Sequence, residues 1–378
     1  MRKFIFLLTF SPLFIYSQQN KDVLFIGNSY IFYNDLPNMV SQIALSFGDT
    51  LNYNSSTPGG ATFNVHANSP QTYTMMNQSQ WDYVVLQAQS QEPSFSPGQV
   101  SSQTYPYAEV LVDSIEQIFN CSEPLFFMTW GRKYGDQQNC QFYPPICTYS
   151  GMQQRLRESY LEMSFDNNAS CAPVGMAWKK SIEIDSTLNL YTSDNSHPNV
   201  YGSYLAACTF YSSIFKKSSV GSSYWPSTID SSIAYSLQQI ASTTVLDSLA
   251  VWNIFNADFD FIQSNDVVNF SNLSSNYESV LWDFGDGNTS FDENPQHTYN
   301  SSGTYTVELY AFTNGGCLVD TITTDIVVNL STSVESLNQE DRLLKIVDIL
   351  GRNSDIKKNS ILYYLFNNGK VEKKVVVE

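Results

Sequence analysis

Asp22-Val23-Leu24-Phe25-Ile26-Gly27-Asn28-Ser29-Tyr30 decides how the first half of the chain is read. Val23 to Ile26 is a short continuous apolar run, the mark of a strand buried on both faces. Gly-x-Ser follows at once, so a Ser hydroxyl stands at a strand-to-helix turn, where backbone N–H groups face a developing oxyanion. Further apolar runs at Leu51 to Ser55, Tyr83 to Leu86, Leu125 to Thr129 and Ala172 to Gly175 supply four more strands. Helical patterns lie between them. Asp35-Leu36-Pro37 opens a helix that Gly48 closes, and Ala108 to Phe119 and Met152 to Phe165 carry helical periodicity. After His197-Pro198 a last helix runs to about Phe215, with Pro in its first turn, and Ile229 to Leu249 is a weaker helical pattern expected to pack on the same domain. This alternation predicts an α/β domain: a five-stranded parallel sheet with helices on both faces.

The 378 residues are enough for two or three domains, and 24 Tyr and 24 Phe with 15% charged residues exclude a disordered chain. A net charge of −17 repels phosphate backbones and anionic lipid, so nucleic acid is excluded as a partner. The charge is uneven. From Ser336 onward there are eight basic and six acidic residues, whereas residues 18 to 335 hold nine basic and thirty acidic ones. Such a shift marks a module boundary. At the start, Arg2-Lys3 precedes an apolar run of about 13 residues, Phe4 to Tyr16, short of the ~20 that span a bilayer. A secretory leader of residues 1–17, cleaved near Ser17, and a product that does not span a membrane are the expectation.

Six cysteines in an exported chain make disulfides the natural expectation. Cys140 and Cys147 flank a Pro-rich loop that a bridge would stiffen, and Cys121 and Cys171 each precede a strand-like run, so neighbouring parallel strands would bring that pair together. Cys208, in an apolar helix, and Cys317 read as free thiols. No spacing of Cys or His suggests zinc.

From about Trp252 the texture changes to alternating strands and turns, which reads as a small β-sandwich. Trp282-Asp283-Phe284-Gly285-Asp286-Gly287, Asn294-Pro295-Gln296-His297-Thr298-Tyr299 and Gly303-Thr304-Tyr305-Thr306-Val307 closely resemble the PKD domain, an Ig-like sandwich, over about 80 residues. It reads as a spacer. Asp283, Asp286 and Asp292 are acids that would offer calcium ligands, but their order does not match an EF-hand loop. The last residues, Leu343-Leu344-Lys345-Ile346-Val347-Asp348-Ile349-Leu350-Gly351-Arg352 through Val371-Glu372-Lys373-Lys374-Val375-Val376-Val377-Glu378, resemble the C-terminal sorting domain of type IX secretion. That resemblance implies a Bacteroidota-type bacterium, the type IX secretion machinery as a partner, and an extracellular or cell-surface destination. The organisation so read is a leader at 1–17, the α/β domain at 18–250, the sandwich at 251–330, a Ser/Thr/Asn-rich linker at 331–340 and a short β tail at 341–378.

In an open α/β sheet, ligands bind beyond the carboxyl ends of the strands. Ser29 lies there, but Ile31 occupies the place of the second Gly in G-x-S-x-G, which excludes the nucleophile elbow of α/β-hydrolases. A Ser nucleophile needs a base, and the chain has three His. His297 belongs to the sandwich. His197 follows Asp194 by three residues on the loop before the last helix, so one loop offers both the base and the carboxylate that orients it.

The order Ser29, Asp194, His197 makes residues 21 to 217 resemble the GDSL/SGNH hydrolase superfamily, with Asn28 and Tyr30 where the family motif has Asp and Leu. The resemblance implies a three-layer α/β/α, flavodoxin-like domain and an oxyanion hole of Ser29 N–H, a Gly after the second strand and an Asn after the third. Gly60, in Pro58-Gly59-Gly60, supplies the Gly. The Asn is absent: Leu86-Gln87-Ala88-Gln89-Ser90 aligns Gln89 with it, and Gln87, on the same face, is the other candidate. His66 is a candidate for touching substrate at the rim. Arg132 would either bind a substrate carboxylate or pair with local acids, and Tyr134, Phe142, Tyr143 and Trp178 would line a pocket for sugars or aryl groups. The function implied is a secreted serine esterase that works through an acyl-enzyme without cofactor or metal, deacylating a small-molecule or polysaccharide ester, an O-acetyl ester among them. The alternative is a catalytically inactive cell-surface binding or adhesion protein that keeps the fold.

Overall fold

The computed structural model describes residues 18–313, 316–330, 342–356, 360–367 and 369–375, so the leader and the linker lie outside the described residues. Five parallel strands, β1 (Asn20–Ile26), β2 (Thr50–Ser56), β3 (Tyr83–Leu86), β4 (Glu123–Phe127) and β5 (Ser170–Ala172), form one sheet in the order β2-β1-β3-β4-β5. This is the flavodoxin-like order of a doubly wound sheet. Among the described residues, six helices of eleven residues or more flank the strands: α1 (Leu36–Ser46), α2 (Tyr105–Ile118), α3 (Tyr149–Asp166), α4 (Val174–Ile184), α5 (Val200–Phe215) and α6 (Ser231–Leu246).

The two-residue period of β1 divides the core. Val23 and Phe25 face one cluster with Val40 and Ile43 of α1, Ala177 and Trp178 of α4, and the apolar side of α5 and α6. Leu24 and Ile26 face the other, with Leu111 and Ile115 of α2 and Leu156 and Tyr160 of α3. All four β1 residues are fully buried, as the unbroken apolar run requires of a strand covered on both sides. The Ile229 to Leu249 pattern becomes α6, which docks on α5 as expected, with Gln238 Nε2 donating to Tyr204 Oη at 2.8 Å.

Several expected boundaries move, β4 among them, which lies at Glu123–Phe127 instead of Leu125–Thr129, and two have a plain cause. β5 ends at Ala172 instead of reaching Gly175, because Pro173 has no N–H to give a ladder and Val174 already opens α4. Pro198 precedes α5 instead of filling its first turn; Asn199 is the cap, its Oδ1 accepting from Tyr201 N at 2.9 Å and Gly202 N at 3.2 Å.

Beyond the α/β domain, β6 (Phe259–Ser264), β7 (Val267–Asn272) and β10 (Gln296–Thr298) form one antiparallel sheet in the order β10-β7-β6. β8 (Ser279–Asp283), β9 (Thr289–Ser290), β11 (Gly303–Phe312) and β12 (Val319–Val328) form the second, in the order β12-β11-β8-β9. Trp282, Phe270, Phe284 and Tyr299 fill the space between them. Among the described residues, those from 18 to Val328 form one compact unit and those beyond it a second, in which β13 (Leu343–Val347), β14 (Ile361–Phe366) and β15 (Val371–Val375) make a three-stranded antiparallel sheet.

Candidate active site

The carboxyl end of β1 is tied to the loops after β2 and β3, and this places Ser29. Gly27 N donates to Ser56 O at 3.0 Å, and Asn28 N donates to Gln87 Oε1 at 2.8 Å. The Asn28 side chain closes the turn, accepting from Tyr30 N at 3.2 Å and donating to Ala61 O at 3.0 Å. A glycine is required at 27: a Cβ there would lie 2.5 Å from Gln87 Oε1 and 2.6 Å from Ile31 Cδ1. Ser29 then opens a single helical turn, Ser29–Phe32.

Ser29 Oγ lies 2.8 Å from His197 Nε2, and His197 Nδ1 lies 2.5 Å from Asp194 Oδ2. With Nδ1–H donating to the carboxylate, Nε2 carries the lone pair that can take the Ser proton. Asp194 Oδ1 accepts from Ser196 N and His197 N, both at 2.9 Å, and from Thr192 Oγ1 at 2.7 Å. Burial works to raise the Asp194 carboxyl, but the hydrogen bonds from the His197 ring, Ser196, Thr192 and His197 N–H outweigh it and hold the group well below the ordinary carboxylate range. At ordinary pH it is the charged member of this hydrogen-bonded trio.

Several residues that the sequence did not single out hold His197. The Tyr33 ring stacks on the imidazole at 4.4 Å and 19°, and Tyr30 meets it edge-on at 5.5 Å. Tyr30 Oη pairs with Ser196 Oγ at 2.7 Å, Trp130 Nε1 donates to Ser196 O at 3.0 Å, and Asn34 Nδ2 donates to Pro198 O at 3.1 Å. Asn34 and Asp35 both take left-handed backbone, with φ 54° and 53°. That double turn is an Asn-Asp signal readable in sequence, since these two residue types tolerate the region best after Gly.

The oxyanion side is less complete. Gly60 has φ +70°, a conformation suited to glycine, and neither its N–H nor that of Ser29 has a protein acceptor among the described residues. Gln89 is folded into its own loop: its Oε1 accepts from Gln91 N at 2.7 Å, and its Nε2 makes only long contacts, 3.3 Å to Gln91 Oε1 and 3.4 Å to Ser90 Oγ. Gln87 is not at the surface of the site. It is fully buried as the acceptor for Asn28 N, with its amide on Ala88 O, so its role is to brace the Ser29 turn. His66 is likewise no rim residue: it is fully buried, with Nε2 on Gly27 O at 2.8 Å and Nδ1 on Thr72 Oγ1 at 3.0 Å. Burial lowers its pKa, and it buttresses the same turn from below. Trp178 also leaves the expected pocket, since it is fully buried against Trp130 at 4.0 Å. Arg132 stays partly exposed and forms an ion pair with Asp136 at 3.9 Å.

Comparison with known proteins bears on both domains. Residues 256–328 match the family model of the PKD domain. Residues 256–328 are a PKD domain. A collagenase of Bacillus cereus is 64% identical over 31 residues, 8% of this chain and 3% of that protein, so the chain spans only a small part of this curated relative. Among solved structures, a DUF4886 family protein from Bacteroides uniformis matches at 17% identity with a TM-score of 0.52, over 60% of this chain and 95% of its own. That likeness is one of fold. A Slackia heliotrinireducens protein assigned as an SGNH hydrolase matches at 21% identity with a TM-score of 0.42, over 51% of this chain and 97% of its own.

The PKD domain is not a loosely strung spacer. Cys121, just before β4, is bonded to Cys317 of the PKD domain, with Cα atoms 5.1 Å apart. This corrects three expectations: Cys171 is a free buried thiol, Cys317 is not free, and Cys140 and Cys147 are not bridged. The Cys140 loop is organised instead by Asp136, which accepts from Gln138 N, Asn139 N and Asn139 Nδ2 and donates its own N–H to Ile146 O. Lys216 Nζ pairs with Asp320 Oδ2 at 3.0 Å, and Asn276 Nδ2 donates to Glu123 Oε1 at 3.0 Å. In the PKD core, His297 stacks on Phe284 at 4.1 Å and bonds Asp286 at 2.8 Å, while Asp283 accepts from Gly285 N. Two of the acids considered for calcium therefore serve the fold.

Glu123 makes this junction sensitive to pH. Burial raises its pKa to about 7, against smaller opposing contributions from the Ser170 hydroxyl and the Lys216 charge. A carboxyl whose folded pKa exceeds its unfolded value of ~4.3 contributes stability that is complete below the latter and lost as pH rises through the former. Glu123→Gln keeps an acceptor for Ser170 and Asn276 and removes the titration. Urea unfolding at pH 5 and pH 8 should show the wild type losing about 2–3 kcal/mol more than the variant over that interval. Equal losses would exclude Glu123 as the titrating group.

Proposed function

We propose that the chain is an exported serine esterase of the SGNH type, which hydrolyses an ester through an acyl-enzyme and acts on a carbohydrate ester, an O-acetyl group foremost. The observation that carries this reading is the Ser29–His197–Asp194 relay at 2.8 and 2.5 Å. In the first half-reaction His197 Nε2 takes the Ser29 proton as Oγ bonds to the ester carbonyl carbon. The oxyanion is received by Ser29 N–H and Gly60 N–H, with the Gln89 amide turning out of its loop to join them. Collapse breaks the bond to the alcohol, which leaves with the proton from His197. Water then attacks the acyl group by the same route and frees the acid. Tyr33 and Tyr30 keep the imidazole in place through both steps. Export through the leader at 1–17 and release or attachment outside the cell through the tail at 341–378, read by the type IX secretion machinery, belong to the same proposal and rest on sequence resemblance. Among the described residues no helix is long and apolar enough to cross a membrane.

One observation favours a second reading, a surface binding or adhesion protein without catalysis: the Gln89 amide is engaged by its own loop, which leaves two backbone donors for an oxyanion. A fluorophosphonate probe decides between them. On the esterase reading it labels Ser29, located by peptide mass mapping, and fails to label the His197→Ala protein. Absence of label, together with no turnover of 4-nitrophenyl acetate, selects the binding protein.

A further inference from the structure

One guanidinium on the loop after β4 has a buried donor with no hydrogen-bond partner. Arg132 follows β4 in Trp130-Gly131-Arg132-Lys133, and this loop is pinned to the catalytic loop: Trp130 Nε1 donates to Ser196 O at 3.0 Å, Tyr191 Oη donates to Gly131 O at 2.7 Å, and Lys133 N donates to Asn195 O at 3.0 Å. On the other side, Gln91 Nε2 reaches from the β3 loop to Asp136 at 2.8 Å. The segment 130–136 is thus bonded to the loop that carries His197 and, through Asp136, to the loop that carries Gln89. Burial raises the pKa of the Tyr30 phenol, and the hydroxyls of Ser196 and Ser90 and, to a smaller extent, the charge of Arg132 oppose it.

Arg132 Nε is buried and has no hydrogen-bond partner, and the 3.9 Å ion pair to Asp136 is beyond hydrogen-bond reach. Asp136 does not need it. Its Oδ1 accepts from Gln138 N at 3.2 Å and Asn139 N at 3.3 Å, and its Oδ2 from Gln91 Nε2 at 2.8 Å and Asn139 Nδ2 at 2.7 Å. A structural arginine in the same domain looks different: Arg155 donates to Glu158, to Ser159 Oγ and to Phe95 O. A mostly buried guanidinium costs free energy unless its donors are paired, and its side chain is 23% exposed, enough for a ligand to reach the fork.

We infer that Arg132 is an anion-binding side chain of the substrate cleft, and that the ester it selects carries a carboxylate near the scissile bond. This rests on the esterase reading. A planar carboxylate is the partner that a guanidinium fork matches with two parallel hydrogen bonds. The charge of the surrounding protein narrows the class further. Residues 18 to 335 hold nine basic against thirty acidic residues, a field that repels polyanions, so the ligand carries a single carboxylate on an otherwise neutral molecule. That carboxylate belongs either to the acyl group or to the alcohol, as in a single uronate unit of a neutral glycan.

Two matched pairs of esters separate these sources: 4-nitrophenyl hemisuccinate against 4-nitrophenyl butyrate for the acyl half, and O-acetylated methyl glucuronoside against O-acetylated methyl glucoside for the alcohol half. The expected result is a kcat/KM preference for the charged member of one pair of roughly tenfold or more, lost in Arg132→Gln and partly kept in Arg132→Lys. The pair that shows it identifies the half that carries the carboxylate. No preference in either pair, or an Arg132→Gln protein that slows both members equally, overturns the proposal. Binding is read apart from turnover by titrating the Ser29→Ala protein with succinate and with glucuronate. One of them should bind, with affinity about tenfold weaker in Ser29→Ala/Arg132→Gln. If no ester is turned over but that Arg132-dependent binding remains, the esterase reading fails and the anion site stands; if esters are turned over and neither carboxylate binds, the anion site fails alone.

Discussion

Ser29→Ala and His197→Ala should each lower kcat for 4-nitrophenyl acetate by about 10³-fold or more, and the double variant should be no worse than either. The non-additivity follows from the geometry. Ser29 Oγ and His197 Nε2 share one hydrogen bond at 2.8 Å, so removing either leaves the other with nothing to do. Ser29 is also the opening residue of its helical turn, and the turn is held by Asn28 and Gln87, so the alanine variant keeps its backbone partners and should unfold at the wild-type midpoint. An equal loss in the two singles followed by a further large loss in the double would mean that the residues act separately, against the relay. The pH profile supplies an independent check. Asp194 is held well below the ordinary carboxylate range, so it stays ionised across the range in which an imidazole base is lost to protonation. The acid limb of kcat/KM should therefore have a slope of one. The same depression means that the hydrogen bonds of Asp194 support the fold above the ordinary Asp range and are lost only as pH falls through its lowered value. A slope of two would show the carboxylate titrating with the imidazole.

The relay was legible because its parts are local. Asp194 and His197 lie three residues apart on one loop, and Ser29 follows an apolar run whose burial is dictated by its composition. β3 keeps the expected bounds Tyr83–Leu86 for the same reason. What failed depends on depth and on distant partners. A lone His or Gln beside a glycine turn carries no sign of burial, yet Gln87 fills the space at Gly27 with Ile31 and His66 bonds the Gly27 carbonyl, which turns an oxyanion candidate and a rim candidate into braces. Tyr33 stacks on His197 from between the Ser29–Phe32 turn and the left-handed pair Asn34-Asp35, a change of direction that helical or strand periodicity does not register. Trp178 was placed in a pocket on its aromatic character, when its position on α4 stacks it under Trp130 in the core.

Cysteine pairing is the sharpest case, because short loops were weighed where domain docking decides. Replacing both members of the Cys121–Cys317 pair by Ser should destabilise the compact unit by about 2–4 kcal/mol, seen as a lower urea midpoint. The two cysteines are 196 residues apart in sequence, so in the chain-entropy picture the bridge removes a large part of the unfolded chain's freedom, up to about 5 kcal/mol. The expected loss lies below that ceiling because the reduced unfolded chain keeps residual structure. Cys121 stands at the amino end of β4, and Ser29 follows the carboxyl end of its parallel neighbour two strands away, so ester turnover at 25 °C should be unchanged while stability falls. Non-reducing peptide mapping of the wild type should recover the Cys121 and Cys317 peptides joined and the Cys140 and Cys147 thiols free. A Cys140–Cys147 bridge in that map, with no loss of midpoint in the double Ser variant, would return the PKD domain to the status of a tethered module and leave Glu123 without its partner from the other domain.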